Sequence, residues 1–483
     1  MHSPMRLSVP LLSGLKLRHR GKVRDTYELT DELLLSVATD AISIFDFVLN
    51  ALIPGKGIIL NAMNYFWSTH LAQFGIKTHL VAAGAAIDRY LPESLRGNSD
   101  LQARAVVIRK LEMVDREFIA RILITGSGYE SYRKTGQICG STLPYGFQDG
   151  DALPYVLDTP TTKAEVGHDQ HVSADQVRNH YPRQTRSLID ITQIASSYAA
   201  SRGIKLADTK FEFGKCGTLA DEILTPDSSR FYSLKDWEES RKKEVRKAPI
   251  SYDKQFVREW GKSHGVDKLK DPQDPAQIRK VHELILPSAI VNRTSHIYRY
   301  ILWRMTGQNR ENYLSRQVGV NLPCDERKIA VLCGSESDVP GVQPYIEEMK
   351  GARFFGGVIS CHRNPHELDH FVNTQCDGLY AVLCAGSKAF ALPGVLDARL
   401  HAAGKDVAVV GVALGEPGSE SLKAAQLSIE QLPGQPVVMD EISGGCYSGP
   451  EGLRRALCRL VEGELPPHKD RTEKPVKMNL FKN

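Results

Sequence analysis

Leu206-Ala207-Asp208-Thr209-Lys210-Phe211-Glu212-Phe213-Gly214 runs through Lys215-Cys216-Gly217 into Leu219-Ala220-Asp221-Glu222-Ile223-Leu224, and Thr225-Pro226-Asp227-Ser228-Ser229-Arg230-Phe231 follows at once. Alternation with a period of two puts Phe211 and Phe213 on one face and Asp208, Lys210 and Glu212 on the other. A turn centred on Lys215-Cys216 sets Lys210 opposite Asp221, with Glu212 diagonal to it. Two acids and a lysine on one face are the donor set for a hard cation and a phosphate. Taken alone, the same pattern reads as a solvated hairpin closed by an ion pair, the commoner fate of such charges.

The segments around this hairpin alternate between strand and helix patterns. Gly21 to Leu29, Glu32 to Ala38 and Ala103 to Leu111 are β-rich, with helix-like stretches at Leu60 to Phe74 and Arg116 to Ile119. A helix is expected from Ser187 to Arg202, stopped by Gly203, with further helices at Lys254 to His264, Pro275 to Leu286 and Ala289 to Met305. Beyond Val318 the composition turns to linker chemistry, and a new rhythm begins. Strands are expected at Lys328 to Cys333, Phe354 to Ser360, Leu379 to Ala385 and Val407 to Val412. Helical patterns separate them at Val339 to Lys350, Pro365 to Thr374 and Ala389 to Ala402. That β-α-β-α order predicts a parallel sheet with helices on both faces. The expected organisation is therefore a domain over 1–316, a linker over 317–327, a second domain over 328–470 and a tail over 471–483.

Length and composition agree with two bodies. A chain of 483 residues exceeds one ordinary core, and 42% hydrophobic with 24% charged residues is globular usage. The net charge of +4 carries no basic block, which argues against a nucleic-acid partner. Nine cysteines without a C-x-x-C pair argue against a disulfide framework and suit a reducing cytoplasm. No run is long enough to span a bilayer, and Pro10 interrupts the only short apolar stretch near the start, so a cytoplasmic location is expected.

Short motifs narrow the chemistry. There is no Walker loop; Gly55-Lys56-Gly57 is only a fragment of one. Gly21-Lys22-Val23-Arg24-Asp25 pairs a glycine, which lets backbone amides approach a phosphate, with a cation. Arg121 stands before the donor-rich loop Thr125-Gly126-Ser127-Gly128, and Arg230 adds a second guanidinium fork. His366-Glu367-Leu368-Asp369-His370 has the H-E-x-x-H spacing of a zinc hydrolase, kept as a competing reading at His366 and His370.

Taken in order, the blocks of the first part resemble the SAICAR synthetase family from about Leu15 to Met305. They comprise Gly21 to Asp25, Ala38-Thr39-Asp40, Ile53 to Gly57, Thr125-Gly126-Ser127, Lys134-Thr135-Gly136, Thr162-Lys163-Ala164-Glu165, Ala207 to Gly214, Leu224 to Phe231 and Asp253-Lys254-Gln255-Phe256. The resemblance implies an α+β, ATP-grasp-like domain. It also implies ATP-dependent joining of L-aspartate to the carboxylate of CAIR, an imidazole ribonucleotide of purine biosynthesis, giving SAICAR, ADP and phosphate. It places Gly21 and Lys22 at ATP and Glu212 and Asp221 at Mg2+, with Arg121, Ser127 and Arg230 on the nucleotide substrate. Lys22 and Lys210 are the expected catalytic cations. Ile122-Leu123 stand where the family usually has a small residue followed by an aromatic one.

The second part, from about Lys328 to Glu462, resembles the AIR carboxylase and N5-CAIR mutase family. The resemblance rests on Gly334-Ser335-Glu336-Ser337-Asp338, Ser360-Cys361-His362-Arg363-Asn364-Pro365, Leu392-Pro393-Gly394 and Ser428 to Gly434. It implies a three-layer α/β sandwich that assembles a homo-oligomer, an octamer in that family. It further implies AIR with CO2, or N5-CAIR, as substrate, Ser335, Asp338 and Arg363 as substrate contacts, and His362 as the proton-handling residue. The loop Ala385-Gly386-Ser387-Lys388-Ala389-Phe390-Ala391 departs from the family, with Ala391 where a histidine is usual and Lys388 and Phe390 in place of small residues. Two roles stay open for this part: making CAIR, or serving as an assembly core.

Overall fold

Phe118, Phe211 and Phe213 stack edge to face in the largest apolar core, with the Phe118 and Phe213 centroids 5.2 Å apart at 89°. The computed structural model describes residues 12–163, 171–323, 327–432 and 436–466. Outside the described residues lie Ala164-Glu165, part of the expected linker, Pro433-Gly434, and the expected tail over 471–483. The chain divides into two units, Met1–Pro323 and Cys324–Asn483.

The first unit is built on two antiparallel sheets. One orders its strands Lys16–Arg20, Arg24–Glu28, Leu33–Ala38, Ala105–Arg109 and Leu80–Ala83. The other runs Asp151–Asp158, Arg116–Ile124, Ile204–Phe213 and Leu219–Ala220, with Ser229–Ser233 also on Ile204–Phe213. The bond from His79 N to Leu219 O (2.9 Å) and the bridge between Thr78 and Leu219 tie the two sheets together. Helix Pro182–Ser201 starts with proline at its first turn and buries Leu188, Ile191, Thr192, Ala195 and Ala199, the i, i+3, i+4, i+7 stripe that faces a sheet. Gly203 beyond it takes φ 72, which a Cβ would oppose.

Three expectations change. Arg116 to Ile119, expected as helical, is the start of strand Arg116–Ile124. Phe118 and Ala120 alternate into the core, while Glu117 and Arg121 face the other way. The cross-strand partner, remote in sequence, decides this over local propensity. The hairpin register also slips by one: Glu212 pairs with Ala220 and Phe213 with Leu219, so Lys210 is not opposite Asp221. The connection Gly214 to Thr218 is longer than a two-residue turn and closes through Gly214 N to Thr218 O at 2.9 Å. The expected helix Val339 to Lys350 is a 3-10 turn, Glu336–Gly341, followed by the short helix Gln343–Glu348. Pro340 has no N–H to offer an α-helical ladder there. An additional helix, Arg310–Val318, runs past residue 316, and Val320 beyond it is buried in the first unit's core.

The second unit has a parallel five-stranded sheet ordered Ala352–Val358, Arg327–Cys333, Ala381–Gly386, Ala408–Ala413 and Tyr447–Ser448. Its strands split their side chains between two cores. Ala330 and Leu332 meet Leu368, Phe371, Leu396 and Ile429 on one side. Ile329, Val331 and Cys333 meet Leu453, Leu457 and Leu460 on the other. Near-continuous burial of Ala381–Gly386 and Ala408–Ala413 is what a parallel strand covered on both faces requires. Among the described residues no helix is long and apolar enough to cross a membrane, and the eight described cysteines are free thiols.

Phe213→Ala removes a fully buried ring from the first unit's core and should cost roughly 3–5 kcal/mol. Urea denaturation of the variant checks this; a loss below about 1 kcal/mol would mean that the ring does not anchor the core.

Candidate active site

Glu117 and Arg121 lie on the same face of their strand as Asp208, Lys210 and Glu212 do on the next, because Asp208 pairs with Arg121 and Lys210 with Ile119. The polar face of the sequence-read hairpin is therefore doubled by a second charged row. Lys210 Nζ sits 2.6 Å from Glu117 Oε1 and 3.8 Å from Glu212 Oε1. Lys163 Nζ reaches the other Glu212 oxygen at 2.6 Å, and Thr161 Oγ1 donates to Glu117 at 3.0 Å. Burial works against the Lys210 charge, yet Glu117, Glu212 and Asp221 together hold its pKa above the ordinary lysine value.

Glu212 and Asp221 form the acidic edge of this cluster. Burial and the neighbouring Asp221 raise the Glu212 pKa despite Lys210 and Lys163. At Asp221 burial is outweighed by Arg24, Lys210, Lys163 and His79, which lower it. Asp221 sits at φ 55 and Leu224 at φ 53, left-handed conformations that a side chain opposes. Arg24, at the end of the Gly21 turn, pairs with Glu222 at 3.6 Å and so brings that turn to the acids. Lys22 itself is half exposed and pairs with Asp46 at 2.5 Å. Among the described residues no three His, Cys, Asp or Glu side chains are grouped to hold a metal ion unaided. A two-carboxylate edge still suits Mg2+, which keeps several waters and completes its shell with substrate phosphates.

A second cluster adjoins it. Arg121 donates to Asp208 (3.1 Å), Ser127 Oγ (3.2 Å) and Thr159 Oγ1 (3.0 Å). Arg230 reaches the same Asp208 oxygen at 3.4 Å and Asp253 at 3.8 Å. Both guanidiniums pack on the first turn of helix Gly126–Thr135. A Cβ on Gly126 would lie 2.7 Å from Arg230 Nη1, and one on Gly128 3.0 Å from Arg121 Nε. Gly126 also takes φ 55, and Thr125 gives that helix no side-chain cap. Two arginines at an uncapped helix N-terminus make an anion-binding corner. Arg121, Ser127 and Arg230 are thus brought together, as their sequence spacing alone could not show.

The third cluster was absent from the sequence reading. Lys56 is completely buried and places Nζ 2.6 Å from Asp227 Oδ2. Lys254 approaches the other Asp227 oxygen at 3.8 Å, and Tyr298 Oη donates to it as well. Burial alone would raise the Asp227 pKa; Lys254 and Lys56 drive it well below the carboxylate range instead. Its signals in the sequence were a Gly-Lys-Gly fragment and an aspartate in a turn, neither of which announces burial. Glu117 was missed because its strand read as a helix, and Lys163 and Arg24 appeared only inside longer blocks.

In the second unit Ser335, Asp338 and Arg363 converge on the carboxyl end of strand Arg327–Cys333. Asp338 accepts from Ser335 (3.0 Å) and Ser387 (2.9 Å), and Arg363 donates to Gly334 O at 3.4 Å. His362 is exposed on the same loop. Helix Pro365–Gln375 carries His366 and His370 exposed, beside a cavity of about 530 Å3, without a third donor of a metal-binding trio among the described residues.

The SAICAR synthetase family model matches residues 17–273, more than half of the chain. The chain belongs to the SAICAR synthetase family. A phosphoribosylaminoimidazole-succinocarboxamide synthase of Methylococcus capsulatus is 38% identical over 318 residues, covering 64% of this chain and all of the relative. The Neisseria meningitidis enzyme of that name is 41% identical, covering 55% of this chain and 92% of its own length. The solved SAICAR synthase of Saccharomyces cerevisiae, described as complexed with SAICAR, aligns with a TM-score of 0.52 at 33% identity over 63% of this chain and 99% of its own. All three charge clusters lie within the first unit, and apart from Tyr298 their residues fall inside the stretch that the SAICAR synthetase model matches.

Lys56→Met would remove the nearer of the two buried lysines on Asp227, leaving Lys254 and Tyr298, and should cost up to roughly 3–5 kcal/mol in urea or thermal unfolding. Because the folded Asp227 pKa is lowered, its contribution is present above the ordinary carboxylate value of 3.8 and is lost as pH falls below it. The variant should therefore show a smaller acid-side loss of stability; an unchanged acid limb would remove Asp227 from the account.

Proposed function

We propose that the first unit catalyses ATP-dependent joining of L-aspartate to the carboxylate of CAIR, giving SAICAR, ADP and phosphate in purine biosynthesis. The observation that carries this is the convergence of two arginines, a helix N-terminus and the Glu212/Asp221 edge on adjoining strands of a SAICAR synthetase chain. We read its fold as ATP-grasp-like and its location as cytoplasmic.

The chemistry assigns each cluster a task. A carboxylate resists attack by an amine until one oxygen can leave, so the CAIR carboxylate first takes the γ-phosphoryl group of ATP and ADP departs. The aspartate amine then attacks the acyl carbon, phosphate leaves with the bonding pair, and the amine loses a proton. Arg121, Ser127 and Arg230 orient the substrate nucleotide through its phosphate. Gly21 and Lys22 contact ATP, with Lys22 exchanging Asp46 for phosphate oxygens. Glu212 and Asp221 would hold Mg2+, which when bound would neutralise charge on the phosphates. Lys210, already pulled between two carboxylates, fixes the Glu212 side chain at that edge and keeps a positive charge beside the transferring group.

The second unit we read as a three-layer sandwich of the AIR carboxylase and N5-CAIR mutase type, with Ser335, Asp338, Arg363 and His362 at its ancestral substrate site. Of its two open roles, assembly of a homo-oligomer is favoured over supplying CAIR, because Ala391 stands at the position of that family's histidine.

Glu212→Gln and Asp221→Asn should each lower the rate of aspartate-dependent ADP release by roughly a hundredfold or more, with the unfolding midpoint nearly unchanged. Wild-type protein that binds ATP and CAIR yet releases no ADP when aspartate is added would overturn the ligase reading. Turnover retained in either variant would move the metal elsewhere.

A further inference from the structure

In the second unit the neighbours of strand Arg327–Cys333 are the strand that follows it and the third strand, Ala381–Gly386. The connections leave this pair in opposite directions along the sheet, so the crevice beyond their carboxyl ends is where an open parallel sheet takes its ligand. Gly334 follows the first strand and Gly386 ends the other, and Gly334 N bonds Ala385 O at 3.2 Å. Small residues at these points are what a ligand needs in order to approach the backbone.

Here a protein side chain has taken that place. A Cβ on Gly386 would lie 2.4 Å from the Phe390 ring, and one on Gly334 would lie 2.9 Å from it. The ring therefore spans both glycines. Phe390 is only 4% exposed and belongs to the same core as Leu332, Cys384 and Leu392. Lys388, two residues before it, takes φ 60 and bonds through its backbone N–H to Ser421 O at 3.2 Å. The loop is thus turned so that Phe390 points down into the crevice. Around it the polar rim persists: Ser335 and Ser387 on Asp338, and Arg363 on Gly334.

We infer that Phe390 is a built-in plug, occupying the heterocycle pocket of the second unit and leaving a phosphate-sized polar rim without room for a nucleotide base. This rests on the reading of that unit as AIR carboxylase-like and goes beyond it, since it names a steric cause for silence independent of the missing histidine. Ala391→His alone would then not restore turnover.

The test uses the full chain as wild type, Phe390→Ala and Phe390→Leu, the last keeping an apolar side chain in the core should alanine unfold the unit. Equilibrium dialysis with labelled AIR counts sites per chain, while ligase turnover reports that the first unit is intact. The expected result is one more AIR site in Phe390→Ala than in wild type. At that site AIR should bind roughly tenfold or more tighter to Phe390→Ala than to Phe390→Leu, with ligase turnover unchanged in all three. CAIR formation by the wild type from AIR and bicarbonate, or a crystal structure with AIR seated beside an undisplaced Phe390, overturns the plug. A crystal structure of a folded variant that still shows the crevice closed overturns it too. An opened crevice that takes inorganic phosphate but not AIR upholds the plug and instead removes the AIR carboxylase-like reading.

Discussion

The antiparallel pairing of Arg116–Ile124 with Ile204–Phe213 is the constraint from which the first unit follows. One register does two things at once. It sends Phe118, Phe211 and Phe213 into the apolar core, and it lines Glu117 and Arg121 against Asp208, Lys210 and Glu212 on the opposite face. A slip of one residue would exchange the faces, burying charges among phenylalanines and exposing rings to water. Core packing therefore fixes the position of the polar groups, which need no separate scaffold. The acids stay close despite mutual repulsion because Lys210, Lys163 and Arg24 surround them.

The two halves of the molecule use glycine at close approaches in contrasting ways. At Gly126 and Gly128 the missing side chains admit two guanidiniums to a helix end, where they share Asp208. At Gly334 and Gly386 the same freedom admits a phenyl ring. Beside that ring Ser335 and Asp338 are polar, while the space at the glycines is apolar and filled. A parallel sheet with both faces covered accommodates such a ring easily, because the ring extends a core already present.

Much of this was legible in the residues. Alternation separated Phe211 and Phe213 from Asp208, Lys210 and Glu212, and the β-α-β-α rhythm announced the parallel sheet. Three things were not. The Arg116 strand read as helix because its pairing partner lies far along the chain, and local pattern carries no information about that partner. The hairpin register slipped because Asp221 adopts a left-handed backbone in a connection longer than a tight turn. Lys56 and Asp227 were passed over because a lysine at a helix start is ordinarily solvated, and only the assembled fold shows it fully buried beside its counter-ion. Sequence patterns report which face a residue takes; they do not report which distant charge it will meet there.

The core of the first unit draws on residues from Ile58 to Val320, and Val320 lies only just before the boundary at Pro323. A fully buried member of that core is thus among the last residues that unit contributes. During synthesis, at about 5–20 residues per second, the paired strands emerge long before the Arg310–Val318 helix that helps complete the core behind them. That apolar core can close fully only once Tyr313, Leu314 and Val320 have been made.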